Sequence, residues 1–138
     1  MVHTRIKMNQ LAFIPAGVLA AAVSWLVNGL IFSRTGTFAV VYVAPGVEEA
    51  AKTSFALFWG TSIPPAHFIF GLVEGLWEAA RGGRGWAAGL ASLASHAAFG
   101  LAAGWLYRLT ASTLLAVTGS YLLHMGWNKL VVNLSRKP

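Results

Sequence analysis

The chain has 138 residues, of which 57% are hydrophobic and 10% are charged, whereas a soluble globular protein has about 25% charged residues. With a mean hydropathy of +0.64, the sequence has too few polar side chains to cover a soluble domain, and it is too apolar for a disordered chain. The absence of cysteine excludes a disulfide scaffold. The length suits one transmembrane domain over residues 1–138, with room for about five spans of roughly 20 residues each.

Basic residues give the chain a net charge of +6, but they form no basic face of the kind that binds nucleic acid. They lie before, between and after the apolar runs, as the cations that flank membrane spans do. This distribution predicts a lipid bilayer around the chain and no nucleic-acid partner. The flanking residues are Arg5, Lys7, Arg34, Arg81, Arg84, Arg108, Arg136 and Lys137.

Five apolar segments predict an all-α fold, a polytopic transmembrane bundle of about five helices. The second segment is expected to be broken or kinked at Pro45-Gly46, since proline removes a helical hydrogen bond. The third is short and carries two glutamates, so we expect it to line a polar cavity. Glycines at helical spacing in the third and fourth segments predict close helix packing. The segments are about Leu11–Phe32, Phe38–Trp59, Pro65–Ala80, Trp86–Tyr107 and Ala111–Asn133.

All four acidic residues lie inside or at the edge of apolar segments: Glu48, Glu49, Glu74 and Glu78. A charged side chain at the centre of a membrane helix costs about 2.5–3.5 kcal/mol. Three or four carboxylates facing lipid would therefore cost roughly 10 kcal/mol. Turning them inward costs less, because partners, protons or a metal can compensate the charges there. The sequence therefore predicts a buried polar cavity.

Other ionisable and amide side chains are spaced so that they can reach the same cavity. Lys52 follows Glu48 at i,i+4 and can pair with it, and that pair could also be a purely structural one. Asn128 follows His124 at the same spacing. His67 shares a helix face with Glu74 but lies near a span end, and we interpret it as a hydrogen-bonded core residue. The predicted catalytic site comprises Glu48, Glu49, Lys52, Glu74, His96, His124 and Asn128.

Four motifs in chain order resemble those of the PrsW-type intramembrane proteases, which are related to the CAAX prenyl endopeptidases. The resemblance covers about Ala44–Asn128 and leaves one helix ahead of a four-helix core. It implies a CAAX-protease-like core and an endopeptidase that cleaves a membrane-embedded or membrane-anchored protein. It also implies a multi-pass protein of a prokaryotic-type cell membrane. The motifs are Glu48-Glu49-x-x-Lys52, Phe70-x-x-x-Glu74, Ser95-His96-Ala97-Ala98-Phe99-Gly100 and His124-x-x-x-Asn128.

Two versions of the chemistry are open at this point. In both, one glutamate of the Glu48–Glu49 pair deprotonates a water molecule while Lys52 orients the other. In the metal version, Glu74, His96 and His124 hold zinc, because two histidines and a carboxylate are a common catalytic zinc set. In the metal-free version, His124 and Asn128 donate hydrogen bonds to the oxyanion. No HExxH motif is present to decide between them.

Two other classes of function fit the same residues. One is a non-catalytic membrane scaffold or chaperone-like subunit of the same superfamily, in which the pocket is a structural relic. The other is a small proton or ion carrier, because chains of glutamate, histidine and lysine also form relays. The sequence contains no inverted repeat with paired broken helices, which argues against the carrier.

Overall fold

The computed structural model describes residues 11–136, so the predicted flanking cations Arg5, Lys7 and Lys137 lie outside the described residues. Within this range every regular element is helical, which confirms the all-α prediction and its five helices, with ends that differ by a few residues. The helices are α1 (Phe13–Thr35), α2 (Ala44–Phe58), α3 (Ile63–Ala80), α4 (Gly85–Thr110) and α5 (Thr113–Ser135), and a π-helical turn (Ala39–Val43) leads into α2.

The break predicted in the second segment lies just before Pro45 and takes the form of the π turn. Pro45 occupies the first turn of α2, where its missing N–H leaves a carbonyl of the preceding turn without its usual helical donor. Side chains of α5 bond carbonyls of this turn: Nδ2 of Asn128 donates to Val40 at 2.9 Å, and the Tyr121 hydroxyl donates to Tyr42 at 3.1 Å. The irregular turn is therefore held against α5.

Two of the described helices are long and apolar enough to cross a membrane by length and composition, namely α1, with 23 residues, and α4, with 26 residues. The sequence predicts about five membrane spans, and two of the five helices meet these criteria. Helix α2, at 15 residues, reaches only about 22 Å at 1.5 Å per residue, against a hydrocarbon core of about 30 Å.

The distribution of polar and apolar side chains is the reverse of that in a soluble protein. Glu49, Lys52 and His67 are fully buried, at 0% exposure, whereas Phe58 is 81% exposed and Leu30 is 75% exposed. The polar cluster occupies the centre of the bundle, and large apolar side chains cover much of its outside.

Helices α3 and α4 pack closely through small residues, as the glycine spacing predicts. A Cβ atom on Gly75 would lie 2.7 Å from the carbonyl oxygen of Gly89, and one on Gly71 would lie 2.8 Å from Cβ of His96. Only glycine permits this approach at either position. The contact brings His96 of α4 against the face of α3 that carries Glu74.

Candidate functional site

Lys52 lies at the centre of the buried cluster. Its ammonium group donates to Oε1 of Glu49 at 2.5 Å and to Nδ1 of His96 at 2.9 Å, and its nitrogen lies 4.4 Å from the ring centre of Phe70. The structure therefore pairs Lys52 with Glu49, at i,i+3, and not with Glu48 as the i,i+4 spacing suggests. Both spacings bring side chains together on a helix, and Glu49 is the one whose carboxylate reaches the Lys52 ammonium.

Glu49 gathers side chains from three other helices of the bundle. Its Oε1 also accepts a hydrogen bond from Nδ1 of His124 in α5, at 2.9 Å. Its Oε2 lies 3.5 Å from Nδ1 of His67 in α3, and Lys52 links it to His96 in α4. Because Lys52, His67 and His124 all approach the Glu49 carboxylate, Glu49 acts as the structural anchor of the cluster.

Glu74 bonds the far side of the His96 ring. Its Oε2 lies 2.7 Å from Nε2 of His96 and accepts from the hydroxyl of Ser92 at 2.5 Å. A lysine ammonium has hydrogens to donate and no lone pair, so Nδ1 of His96 is the acceptor towards Lys52. Nε2 then carries the ring hydrogen and donates it to Glu74. The Glu74 side chain is 39% exposed, which makes it the open end of the cluster.

No cation of the described part of the chain donates a hydrogen bond to Glu48. Nδ2 of Asn28 in α1 donates to its Oε1 at 3.1 Å. Among residues 11–136 no group donates a hydrogen bond to its Oε2, which is buried. That oxygen lies 3.8 Å from Nε2 of His124. Because Nδ1 of His124 donates to Glu49, its neutral imidazole has a lone pair at Nε2, so two acceptors face each other here.

Aromatic rings pack against two histidines of the cluster, His96 and His124. Phe99 stacks on His124, with ring centres 4.7 Å apart and an interplanar angle of 22°. The edge contact between Phe70 and His96 has a centre separation of 4.8 Å. These apolar walls lower the local dielectric constant, which strengthens each polar interaction inside them.

A group of Glu48, His96 and His124 could hold a metal ion, because one ligand atom of each lies within 4.8 Å of the others. The sequence predicts Glu74, His96 and His124 as the metal ligands. The structure replaces Glu74 by Glu48 in this group, because Glu74 bonds Nε2 of His96, on the side of the ring away from Lys52. A metal ligand must offer a lone pair. Lys52 uses the lone pair of His96, so the arrangement shown does not fit a metal until Lys52 moves.

Asn128 does not reach the cluster, although it lies one turn after His124. Its amide nitrogen donates to the carbonyl of Val40 in the π turn at 2.9 Å. The structure therefore brings His124 but not Asn128 into the cluster, because one hydrogen of the Asn128 amide bonds the irregular backbone before Pro45.

Several residues of the site lie outside the set that the sequence predicts. His67, interpreted from the sequence as a core residue, contacts Glu49 and lies 3.4 Å from the hydroxyl of Thr53. Its shared face with Glu74 is the signal that could have identified it. Asn28 and Ser24 of α1 are also absent from the predicted set, although they are polar residues one turn apart within a long apolar helix.

Comparisons with known proteins found no matching family model, no matching curated protein and no matching solved structure.

Proposed function

We propose that this protein is a metal-free intramembrane endopeptidase that hydrolyses a peptide bond of a membrane-embedded or membrane-anchored protein. The apolar exterior, with the ionisable residues Glu49, Lys52 and His67 fully buried, supports a chain that lies in a lipid bilayer. We further propose that α2, α3 and α5 lie in the bilayer beside the two candidate spans, in the cell membrane of a prokaryotic-type cell.

The single observation that carries the proposal is the buried Oε2 of Glu48, which no group of the described chain bonds. It lies 3.8 Å from the lone pair of His124 Nε2. One water molecule can donate a hydrogen to each of these two acceptors. Oε2 of Glu49 also has no hydrogen-bond partner among the described residues, but the other oxygen of that carboxylate accepts from both Lys52 and His124. This pairing makes Glu49 the weaker base, so Glu48 is the proposed base.

The reaction follows from these positions. Glu48 takes a proton from the water, and the oxygen of the water adds to the carbonyl carbon of the substrate. The C–N bond of the tetrahedral intermediate then breaks, and Glu48 returns the proton to the leaving amine. The products are a carboxylic acid and an amine, and Glu48 is regenerated as a carboxylate.

Lys52 is the proposed stabiliser of the oxyanion. An ammonium group has three hydrogens, and Lys52 uses two of them on Glu49 and His96. The third is available to the oxygen on which negative charge develops. A fixed positive charge in a water-excluded site needs little reorganisation during the reaction. Lys52 thus takes the role that the metal-free prediction gave to His124 and Asn128.

Zinc is the alternative electrophile, and it would polarise the substrate carbonyl as a Lewis acid. Glu48, His96 and His124 are the residues that would hold it. We favour the metal-free version because Lys52 already supplies a positive charge next to His96 and occupies the nitrogen that a metal would need.

Proton conduction is the second candidate function, because the polar side chains form one continuous chain. The chain runs from Glu74 through His96, Lys52 and Glu49 to His124, with links of 2.5–2.9 Å. Glu74 is 39% exposed, whereas His124 at the other end is only 5% exposed. A proton channel needs access to solvent at both ends, so a chain of polar groups with one exposed end fits an active site better than a proton channel. A flux assay in liposomes tests for a proton channel directly.

The experiment uses purified protein in proteoliposomes with a quenched-fluorescent peptide that spans the membrane with about 20 leucine and alanine residues interrupted by a Gly-Pro pair. We expect Glu48→Gln to lower the cleavage rate by 10²–10⁴-fold, the usual contribution of a general base. Glu78→Gln is the matched control, because Glu78 pairs with Arg81 at 3.2 Å on the surface. Equal rates for wild type and Glu48→Gln would refute the assignment.

A further inference from the structure

Helix α1 presents two buried polar atoms that no described residue bonds, one on a residue that contacts the proposed base and one on a residue a helical turn earlier. They are the hydroxyl oxygen of Ser24 and Oδ1 of Asn28, and the two residues are 2% and 8% exposed. A buried polar atom without a partner destabilises the folded chain. We propose that Ser24 and Asn28 form a subsite for the peptide backbone of the substrate beside its scissile bond, an inference that rests on the proposed function.

The position of the Ser24 hydroxyl differs from that of other serines and threonines in these helices. Serine and threonine in a helix commonly donate to a carbonyl of the preceding turn, and six hydroxyls among residues 11–136 do so. Ser24 could satisfy its hydroxyl in the same way, but that oxygen has no partner among residues 11–136. Its orientation favours a partner from outside the chain. The back-bonded residues are Ser33, Thr35, Ser95, Thr110, Ser120 and Ser135.

Asn28 joins this subsite to the reaction centre. Its Nδ2 donates to Oε1 of Glu48 at 3.1 Å, which fixes the plane of the amide group. Oδ1 is bonded to the same carbon atom as Nδ2, so it also lies close to Glu48 while it points away from that bond. An atom of the substrate bound to Oδ1 is therefore next to the base.

The two groups have complementary hydrogen-bonding character. The Ser24 hydroxyl can donate, and Asn28 Oδ1 can only accept. A peptide group offers one carbonyl and one N–H, which match this pair. A membrane-spanning substrate must unwind locally to expose a peptide bond, and the backbone groups that it frees find no water in the hydrocarbon. A subsite with one donor and one acceptor replaces two of the lost hydrogen bonds.

Binding requires α1 to move away from the helices that it packs against, α2 and α3, because both side chains are buried. The connection between α1 and α2 contains Gly36 at a φ of +53°, where an added Cβ would have no atom within 4 Å, followed by the π turn Ala39–Val43. A glycine in the left-handed region and a π-helical turn are irregular segments where a helix pair can pivot.

The test separates substrate binding from hydrolysis. Binding of the fluorescent membrane-spanning peptide is measured in nanodiscs with protein that carries Glu48→Gln, so that no cleavage occurs. We expect Ser24→Ala to weaken binding roughly fivefold, the equivalent of about one lost hydrogen bond. We also expect it to raise Tm by a few degrees, because it removes a buried hydroxyl that lacks a partner. A purely structural role for Ser24 would lower Tm instead.

Ser120→Ala is the matched control, because Ser120 is also buried but its hydroxyl bonds Ala116. We expect Ser120→Ala neither to raise Tm nor to weaken binding of the peptide. Asn28 is tested with peptides in which an ester replaces one backbone amide, so that one N–H is lost at a chosen position. At one such position the ester should weaken binding to protein that retains Asn28, and it should not weaken binding to Asn28→Leu.

The outcomes distinguish the subsite from the proposed function. Weaker binding by Ser24→Ala with a raised Tm supports the subsite, even if wild-type protein cleaves no peptide. Unchanged binding, a lowered Tm, or no binding of the peptide by any variant overturns it. Cleavage of the peptide with unchanged Ser24→Ala binding overturns the subsite and leaves the protease assignment intact.

Discussion

The ammonium nitrogen of Lys52 lies 2.9 Å from Nδ1 of His96, although 44 residues separate them in the chain. This contact joins α2 to α4 at the centre of the bundle and decides what His96 can do. With Nδ1 accepting from Lys52 and Nε2 donating to Glu74, both ring nitrogens are occupied by groups of the same chain. An internal cation therefore organises the site.

Lys52→Met tests whether Lys52 keeps the site closed to metals. The change frees the lone pair of His96 while it keeps an unbranched side chain of similar length. We expect wild-type protein to bind Zn²⁺ weakly and Lys52→Met to bind one ion tightly through Glu48, His96 and His124. Isothermal titration with Zn²⁺, and the absorption spectrum of bound Co²⁺, measure this difference.

The control for that experiment is His124→Ala in the Lys52→Met background, which removes a ligand and should abolish the new binding. Lys52→Met also leaves Glu49 as a buried carboxylate without its cation, at a cost of about 3–5 kcal/mol. Bound Zn²⁺ should recover part of that stability by mass action. Tight one-to-one binding by the wild type, unchanged in Lys52→Met, would instead favour the metal version of the mechanism.

The two adjacent glutamates should differ in what their loss does to folding. Glu49→Gln disrupts contacts with Lys52, His67 and His124, so we expect a fall in the free energy of unfolding of about 3 kcal/mol or more. Glu48→Gln keeps an acceptor for Asn28, and we expect its stability to stay within about 1 kcal/mol of wild type. Thermal unfolding in detergent compares them. Equal destabilisation by both changes would show that Glu48 is also structural.

The close contact of α3 and α4 can be tested with two glycine substitutions. In an open helix position, Gly→Ala stabilises by up to about 1 kcal/mol, and Gly126 has no atom within 4 Å of an added Cβ. We expect Gly126→Ala to raise Tm. At Gly75 the same Cβ would lie 2.7 Å from the carbonyl oxygen of Gly89, so Gly75→Ala should lower Tm. A rise in both variants would contradict this packing.

The helices and most members of the cluster could be predicted from the sequence because both depend on local patterns. Apolar runs bounded by glycine, proline and arginine mark the five helices, and the cost of charge in an apolar segment predicts that the glutamates and histidines turn inward. Glu49, Lys52, His96 and His124 do meet, as this reasoning predicts.

The pairing within the cluster could not be predicted, because it depends on how the helices are rotated against one another. Lys52 has Glu48 and Glu49 at equally suitable helical spacings, and only the positions of α4 and α5 decide which it contacts. In the same way, Asn128 shares a helix face with His124, but its side-chain amide donates to the carbonyl of Val40 in the π turn. The contribution of Asn28 depends on where α1 packs, which no local pattern of α1 specifies.

The most direct test of the central claim measures cleavage of the membrane-spanning peptide in proteoliposomes with and without a strong metal chelator. We predict cleavage by wild type and by Glu78→Gln that the chelator leaves unchanged, and a loss of at least about 10²-fold in Glu48→Gln. No cleavage by wild type, full activity in Glu48→Gln, or activity that the chelator abolishes and Zn²⁺ restores would contradict it.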